Sequence, residues 1–256
     1  MTRIKYWAVV EPSRLAQIHD GVVNWFQEEG RDLPWRHTRD PYAILVSEIL
    51  LHQTTVATVL PVYRRFLEAF PTVEALAAAP LESVKAITDP LGYKVRGAWL
   101  KRIAASVLSE FAGQVPDTLE ALMALPGVGR YTAGAVLTFA HQKPAGILDT
   151  NVGRVLSRLF AIPAKPAGAE RWHRLWALAE AVVPADRAWA FNQGLMELGA
   201  LVCRARKPLC LTCPLFAVCP SRGTGAGLAA EGEPVAVQFW ERPRPSRRKS
   251  PEEATG

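Results

Sequence analysis

Apolar residues recur every three or four positions through most of the chain up to residue 202, which is the spacing of helices that bury one face. Proline or glycine stands at nearly every junction between these segments. No convincing alternating strand pattern precedes residue 220, and no internal repeat is visible. We therefore predict an all-α fold of short helices, at residues 15–28, 42–52, 56–70, 73–79, 81–87, 95–111, 118–125, 131–141, 152–160, 171–183 and 188–202.

The predicted helix at residues 42–52 differs from the others because it is apolar almost all the way round. Asp40 suits its N-cap and Pro41 suits its first turn. In its run AILVSEILL, only Ser47 and Glu48 are polar. Burial disfavours a charged carboxylate, so we expect the pKa of Glu48 to rise until the side chain can act as a proton donor. The alternative is a glutamate that reaches the surface or binds a buried partner.

The rest of the composition is that of a soluble protein with a basic balance. No apolar run reaches the ~18 residues of a membrane helix, and MTRIKYWAVVEPSR lacks the features of a signal peptide. We therefore expect a cytoplasmic, nucleoid-associated protein with reduced cysteines. Lys plus Arg number 30 against 24 Asp plus Glu, which is consistent with a nucleic-acid partner. Residues 221–256 are rich in Gly, Pro, Ser and charge, so we predict a mostly disordered tail in which VAVQFW is ordered locally.

The four cysteines of the chain lie in one segment with the spacing C-x6-C-x2-C-x5-C: Cys203, Cys210, Cys213 and Cys219. Four thiolates in a reducing compartment favour a soft metal centre. Zinc sites more often show two C-x2-C pairs, whereas a [4Fe–4S] cluster also takes four cysteines. We favour the cluster over zinc and over four unrelated buried cysteines. Arg206 and Lys207, between the first two ligands, are suited to bind phosphates.

Two further segments predict contacts with an anionic partner. In LPGVGRYTAGAVL, residues 125–137, glycines make a tight turn between two helices, and the second helix points its N–H groups outward. This is the pattern of a helix-hairpin-helix phosphate clamp, although an ordinary turn between helices is an alternative. In GILDTNVGRVL, residues 146–156, Asp149 precedes a helix, and an N-cap without further function is the simplest interpretation.

Taken together, these segments resemble the endonuclease III class of DNA glycosylases over residues 33–219. Within that class, the motifs LPWR, RDPY, SEILLHQTT, LGY, LPGVGRYTAG, LDTNVGRVL, FNQGLMELGALVC and CPL are similar to those of MutY-type adenine glycosylases. Mismatch-specific thymine glycosylases share much of this set. The resemblance implies a monomer that acts on mismatched double-stranded DNA in a cleft between two helical domains. These are a six-helix barrel domain at 34–144 with the hairpin, and a [4Fe–4S] cluster domain at 1–33 plus 145–220.

The resemblance also implies roles for individual residues. Breaking an N-glycosidic bond passes through an oxocarbenium-like state, for which one protonated and one ionised carboxyl group are suited. Glu48 is then the general acid, and Asp149 stabilises positive charge at C1′, since a helix N-terminus favours an anion. Asn151 orients Asp149 or the DNA backbone. Tyr131 stands where bifunctional relatives carry a Schiff-base lysine, so we expect no strand cleavage.

The target base must leave the duplex, and another group must fill the gap. Gln53 and Tyr93 match the positions from which the family inserts side chains into the base stack. The remaining predicted DNA contacts are His52, Thr54, Gly127, Val128, Gly129, Arg130, Thr132, Arg206 and Lys207.

The sequence departs from the MutY pattern at two points. His52 replaces the first glutamine of SE-x-x-L-Q-Q-T. Residues 221–256 are too few for the C-terminal domain that recognises 8-oxoguanine in MutY-type enzymes. Both departures keep open a thymine or uracil glycosylase acting on G·T or G·U mismatches. A non-catalytic iron–sulfur DNA-binding protein is a more distant alternative.

Overall fold

The computed structural model describes residues 5–163, 168–223 and 237–242, and these parts are mostly helical. The all-α prediction is confirmed, and each predicted helix is present with its ends shifted by a few residues. The helices are α1 (Pro12–Glu29), α2 (Pro41–Leu50), α3 (Val56–Ala69), α4 (Val73–Ala78), α5 (Leu81–Thr88), α6 (Val95–Glu110), α7 (Leu119–Ala124), α8 (Arg130–Phe139), α9 (Thr150–Leu159), α10 (Ala169–Ala181) and α11 (Ala188–Leu201).

A two-stranded antiparallel sheet corrects the prediction that no strand precedes residue 220. Strand β1 (Tyr6–Val10) pairs with β2 (Val237–Glu241). The segment YWAVV is rich in the β-branched and aromatic residues that strands favour. Its partner lies more than 200 residues away, so no local turn signal announces the pairing. The local order predicted for VAVQFW is confirmed by β2, whereas the predicted disorder of the tail falls on residues 224–236 and 243–256, outside the described residues.

The buried apolar side chains form two hydrophobic cores. The first core contains side chains from α2 to α8. The second contains side chains from α1, α9, α10, α11 and β1. The two cores meet along the chain between Ile147 and Leu148, and Tyr131 packs against both. The segment that links α8 to α9 therefore lies where the two cores adjoin. No helix in the described ranges is long and apolar enough to cross a membrane.

Helix α2 is the central element of the first core, and its start follows the sequence prediction. Asp40 accepts a hydrogen bond from Tyr42 N at 2.9 Å, and Pro41 occupies the first turn. The N-cap predicted at Asp40 is thus confirmed. From Tyr42 to Leu50 every residue is buried. Because the helix is enclosed on all sides, any polar side chain on it must lie in the interior.

Candidate active site and DNA interface

Glu48 is buried on α2, with 4% of the residue exposed. Its Oε2 atom has no hydrogen-bond partner among the described residues. Burial raises the pKa of Glu48 to about 7; hydrogen bonding from Tyr131 opposes this rise, and the negative charge of Asp149 adds to it. A large share of Glu48 is therefore protonated at neutral pH, as a proton donor requires.

Tyr131 brings a hydroxyl group to the same place from the first turn of α8. Its oxygen lies 3.2 Å from Sδ of Met196 on α11. Burial raises the pKa of Tyr131 well above its usual value, and the negative charges of Glu48 and Asp149 raise it further. The phenol therefore stays protonated and can donate a hydrogen bond to a carboxylate.

Asp149 both caps α9 and belongs to the site. Its Oδ1 accepts a hydrogen bond from Val152 N at 2.7 Å, and its Oδ2 accepts one from Asn151 Nδ2 at 3.0 Å. The half-buried carboxylate lies at the N-terminal end of α9, where the helix dipole is positive. The N-cap predicted at Asp149 is thus confirmed. Asp149 also lies close enough to Glu48 for its negative charge to raise the pKa of Glu48.

Arg154, which the sequence reasoning missed, connects this carboxylate to the cysteine segment. Its Nη2 donates to Asn151 Oδ1 and to Gly199 O, both at 2.8 Å, and its Nε donates to Cys203 O at 2.8 Å. A Cβ on Gly199 would lie 2.7 Å from Asn151 Cβ, so only glycine lets α11 approach α9 this closely. In the sequence, the three-residue spacing of Asn151 and Arg154 places them on one face of a helix and could have suggested their contact. The other two partners of Arg154, Gly199 and Cys203, are too distant in sequence to be predicted.

The predicted hairpin is present between α7 and α8. Gly127 has φ +77°, in the left-handed region that favours glycine. Gly127 and Gly129 are exposed, whereas the side chains of Val128 and Thr132 are buried. The side chains of Val128 and Thr132 are therefore turned away from solvent, and only their main chain is available for a contact with an anion. Arg130 pairs with Glu180 of α10 and is half-buried.

The residues expected to enter the duplex lie on two loops beside the hairpin. Gln53 is exposed and has φ +52°. Tyr93 and Thr54 are half-buried. His52 points inward instead, with Nε2 3.2 Å from Oγ1 of Thr132. Burial, with the nearby charge of Arg96, lowers the pKa of His52, so the ring is neutral at physiological pH.

The four cysteines are free thiols that line one largely apolar cavity. All four are half-buried. Burial, with a smaller contribution from the other three sulfurs, raises the pKa of Cys213 to about 11. Four neighbouring thiols of this kind lose their protons when a cationic centre binds between them. A cavity lined by four thiols fits the ligand set of a [4Fe–4S] cluster.

Basic side chains surround the cysteine segment. Arg158 Nη1 lies 3.4 Å from Cys203 Sγ and donates to Arg204 O at 2.7 Å. Arg206 and Lys207 are exposed between the first two cysteines, and Lys207 has φ +52°. The loop thus presents cations to solvent while its backbone is bound by arginines from α9.

The fold and these residues define a class of protein. Residues 46–181 match the family model described as HhH-GPD superfamily base excision DNA repair protein. The chain belongs to this superfamily.

Two sets of curated relatives differ in the base that their names give. The chain is 44% identical over 225 residues to an adenine DNA glycosylase of Rattus norvegicus, covering 83% of this chain and 44% of that protein. It is 41% identical over 203 residues to a thymine/uracil-DNA glycosylase of Pyrobaculum aerophilum, covering 78% of this chain and 88% of that protein. The chain thus spans less than half the length of the rat relative.

Solved structures show the same architecture. A thermostable thymine-DNA glycosylase aligns with a TM-score of 0.77 at 33% identity, covering 83% of this chain and 98% of that one. A trapped endonuclease III–DNA covalent intermediate aligns with a TM-score of 0.71 at 26% identity, covering 84% and 99%. The resemblance to the endonuclease III class, with both its adenine and its thymine branches, is confirmed.

Proposed function

We propose that the protein is a monofunctional DNA glycosylase that hydrolyses the N-glycosidic bond of a mispaired, flipped-out adenine opposite G or 8-oxoguanine. One observation carries the proposal: Glu48 is buried on α2 beside Asp149 and Tyr131, and this burial raises its pKa to about 7. A purine is a poor leaving group as an anion, so it must receive a proton as it departs. Glu48 can supply that proton, because a large share of it is protonated at neutral pH.

The site residues divide the reaction between them. As the bond from C1′ to the base breaks, its electrons move to the base, and Glu48 gives its proton to a ring nitrogen. Asp149 stabilises the positive charge that develops at C1′, and Asn151 and Arg154 hold its carboxylate in place. Water then adds to C1′ and passes its proton to a carboxylate of the site. The products are the free base and an abasic sugar.

The proposed partner is double-stranded DNA with a mismatched base, bound by a monomer in the cytoplasm at the nucleoid. The exposed glycines of the hairpin and the first turn of α8 offer backbone N–H groups to phosphates. Arg206 and Lys207 add positive charge. Gln53 and Tyr93 fill the gap left by the extruded base.

We further propose that one [4Fe–4S] cluster is bound by the four cysteines: Cys203, Cys210, Cys213 and Cys219. Their cavity is closed by apolar side chains of α9 and α11. When bound, the cluster supplies the positive centre that stabilises four adjacent thiolates. Arg154 and Arg158 then hold the Cys203 end of the loop against α9.

A thymine or uracil glycosylase is the second candidate. It is favoured by the Pyrobaculum aerophilum relative, of which this chain covers 88%. His52 replaces a glutamine of the MutY pattern, so the sequence does not establish which base must lie opposite the target. Pyrimidines can depart as anions held by hydrogen bonds, so that activity depends less on Glu48.

Single-turnover excision from four duplexes tests the proposed function. Each duplex carries one target pair: A·G, A·8-oxoguanine, T·G or U·G. We expect release of adenine from the first two and little release from the others. Excision restricted to T·G and U·G establishes the second candidate. No excision from any of them favours a DNA-binding protein without catalysis.

Tyr131→Lys should introduce a lyase activity that the wild type lacks. The wild type releases the base without cutting the strand, because a Schiff base needs a primary amine near C1′ and residue 131 offers a phenol. The lysine variant should give a borohydride-trappable complex and β-elimination product, even at a lower excision rate. Tyr131→Phe serves as the control and should give neither. Efficient trapping of the wild type would show that another amine is the nucleophile.

A further inference from the structure

Arg96, on α6, is a fully buried cation that makes no ion pair among the described residues. Its exposed fraction is 0%. Nη1 donates to the carbonyl of Tyr93 at 3.1 Å, and Nη2 donates to the carbonyl of His52. Nε has no partner in the described structure. The guanidinium also lies over the Tyr93 ring, 5.5 Å from its centroid. A buried guanidinium without a carboxylate partner is costly, and the chain segments that Arg96 holds together give it a role.

Both segments carry a residue that the proposed function places in the duplex. His52 directly precedes the exposed Gln53, and Tyr93 is itself the second inserted residue. The hydrogen bond from Arg96 to His52 spans 44 positions of sequence. The planar guanidinium fork fixes two acceptors relative to each other better than an ammonium does. One side chain therefore sets the position of the Gln53 loop relative to Tyr93.

Trp99, one turn further along α6, extends this arrangement to the hairpin. Its ring lies edge-on to His52 at 5.9 Å and to Tyr93 at 5.6 Å between centroids. A Cβ at Gly127 would lie 2.6 Å from Trp99 Cδ2, so the indole packs directly against the hairpin backbone. The duplex-facing loops and the phosphate-binding turn thus share one support.

We propose that Arg96 and Trp99 form a clasp that holds Gln53, Tyr93 and the hairpin as one rigid unit, and that both act as positioning residues for extrusion of the target base. This inference rests on the proposed function. Extruding a stacked base costs a few kcal/mol, and loops that must first be ordered add an entropic cost. A clasp that orders the loops before DNA binds lowers the barrier to base extrusion without itself contacting DNA. The proton transfer from Glu48 is unchanged.

Two substrates separate this role from a general structural one. Both carry the target pair that the wild type cleaves; in one the flanking pairs are intact, and in the other they are mismatched, so that extrusion is cheap. We expect Arg96→Met to slow single-turnover excision by about 30-fold on the first substrate and by no more than about 3-fold on the second. Arg96→Lys should recover part of the loss, and 2-aminopurine placed next to the target should report less unstacking in Arg96→Met.

Lys101 provides a matched control on the same helix. Its ammonium also binds backbone carbonyls, of Leu76 at 3.1 Å, Ala77 at 2.6 Å and Ala79 at 2.5 Å, away from the duplex-facing loops. Lys101→Met should lower the melting temperature without distinguishing the two substrates. If Arg96→Met does not fold, Trp99→Phe is measured in its place, with the same expectation.

Equal losses on both substrates, or the same discrimination in Lys101→Met, would overturn the clasp. A wild type that excises neither target would instead refute the proposed function, so the two failures are distinguishable.

Discussion

Glu48→Gln is expected to lower the single-turnover rate of adenine excision by about 10²–10⁴-fold, the usual range for loss of a general acid. The amide keeps the shape of the side chain but has no acidic proton to give to the departing base. DNA affinity should stay within about tenfold, because Glu48 is buried on α2 and glutamine keeps its size, so the surface that is proposed to meet DNA is unchanged. Rates and binding are measured on the same A·G duplex with catalytically saturating enzyme.

The same substitution should stabilise the protein, which provides its control for folding. Burial raises the folded-state pKa of Glu48 from 4.5 to about 7. Folding therefore favours the protonated form, and the carboxyl group destabilises the native state increasingly as pH rises from about 4.5 to about 7. Glu48→Gln should thus melt at a higher temperature than the wild type at pH 8 and at nearly the same temperature at pH 4. An active, less stable variant would exclude Glu48 as the buried acid.

Cys213→Ser is expected to prevent binding of the proposed cluster and so to disorder the proposed DNA-binding loop. Metal binding to a site of this kind contributes directly to folding, and Cys213 is one of four thiols that line the same cavity. We expect a colourless, poorly soluble protein that has lost most of its iron and its DNA affinity, where the wild type is yellow-brown with four irons. Iron content, visible absorbance and DNA binding are measured together.

Leu211→Ser is the matched control for the cysteine variant, because Leu211 lies in the same loop and is 91% exposed. It should keep the colour, the iron and the affinity. A wild type that is colourless, fully active and binds one zinc would contradict the cluster assignment. So would a Cys213→Ser protein that retains four irons.

Features encoded by neighbouring residues were predictable from the sequence. The helices follow the spacing of apolar residues, and the Asp40 cap lies two residues before the amide that it binds. The burial of Glu48 follows from its apolar neighbours on α2, because no face of that helix is polar enough for solvent.

Features that depend on contacts between distant residues were not predictable. Strand β1 needs β2, which lies beyond all the helices. Arg154 reads as an ordinary surface arginine until Gly199 and Cys203 are brought to it by packing of α11 on α9. Arg96 and Trp99 belong to the same group, since their partners at His52 and Gly127 come from other elements of the first core.

The pH dependence of base excision tests the central claim most directly, namely that Glu48 delivers a proton from a carboxyl group with a pKa near 7. Single-turnover rates are measured on the A·G duplex from pH 5 to pH 9. The protonated share of Glu48 falls as pH rises through its pKa of about 7. The rate should therefore be nearly constant below that pH and fall about tenfold per pH unit above it, and the residual rate of Glu48→Gln should lack this step. A wild-type rate that stays constant to pH 9, or a Glu48→Gln profile with the same step, would contradict the account.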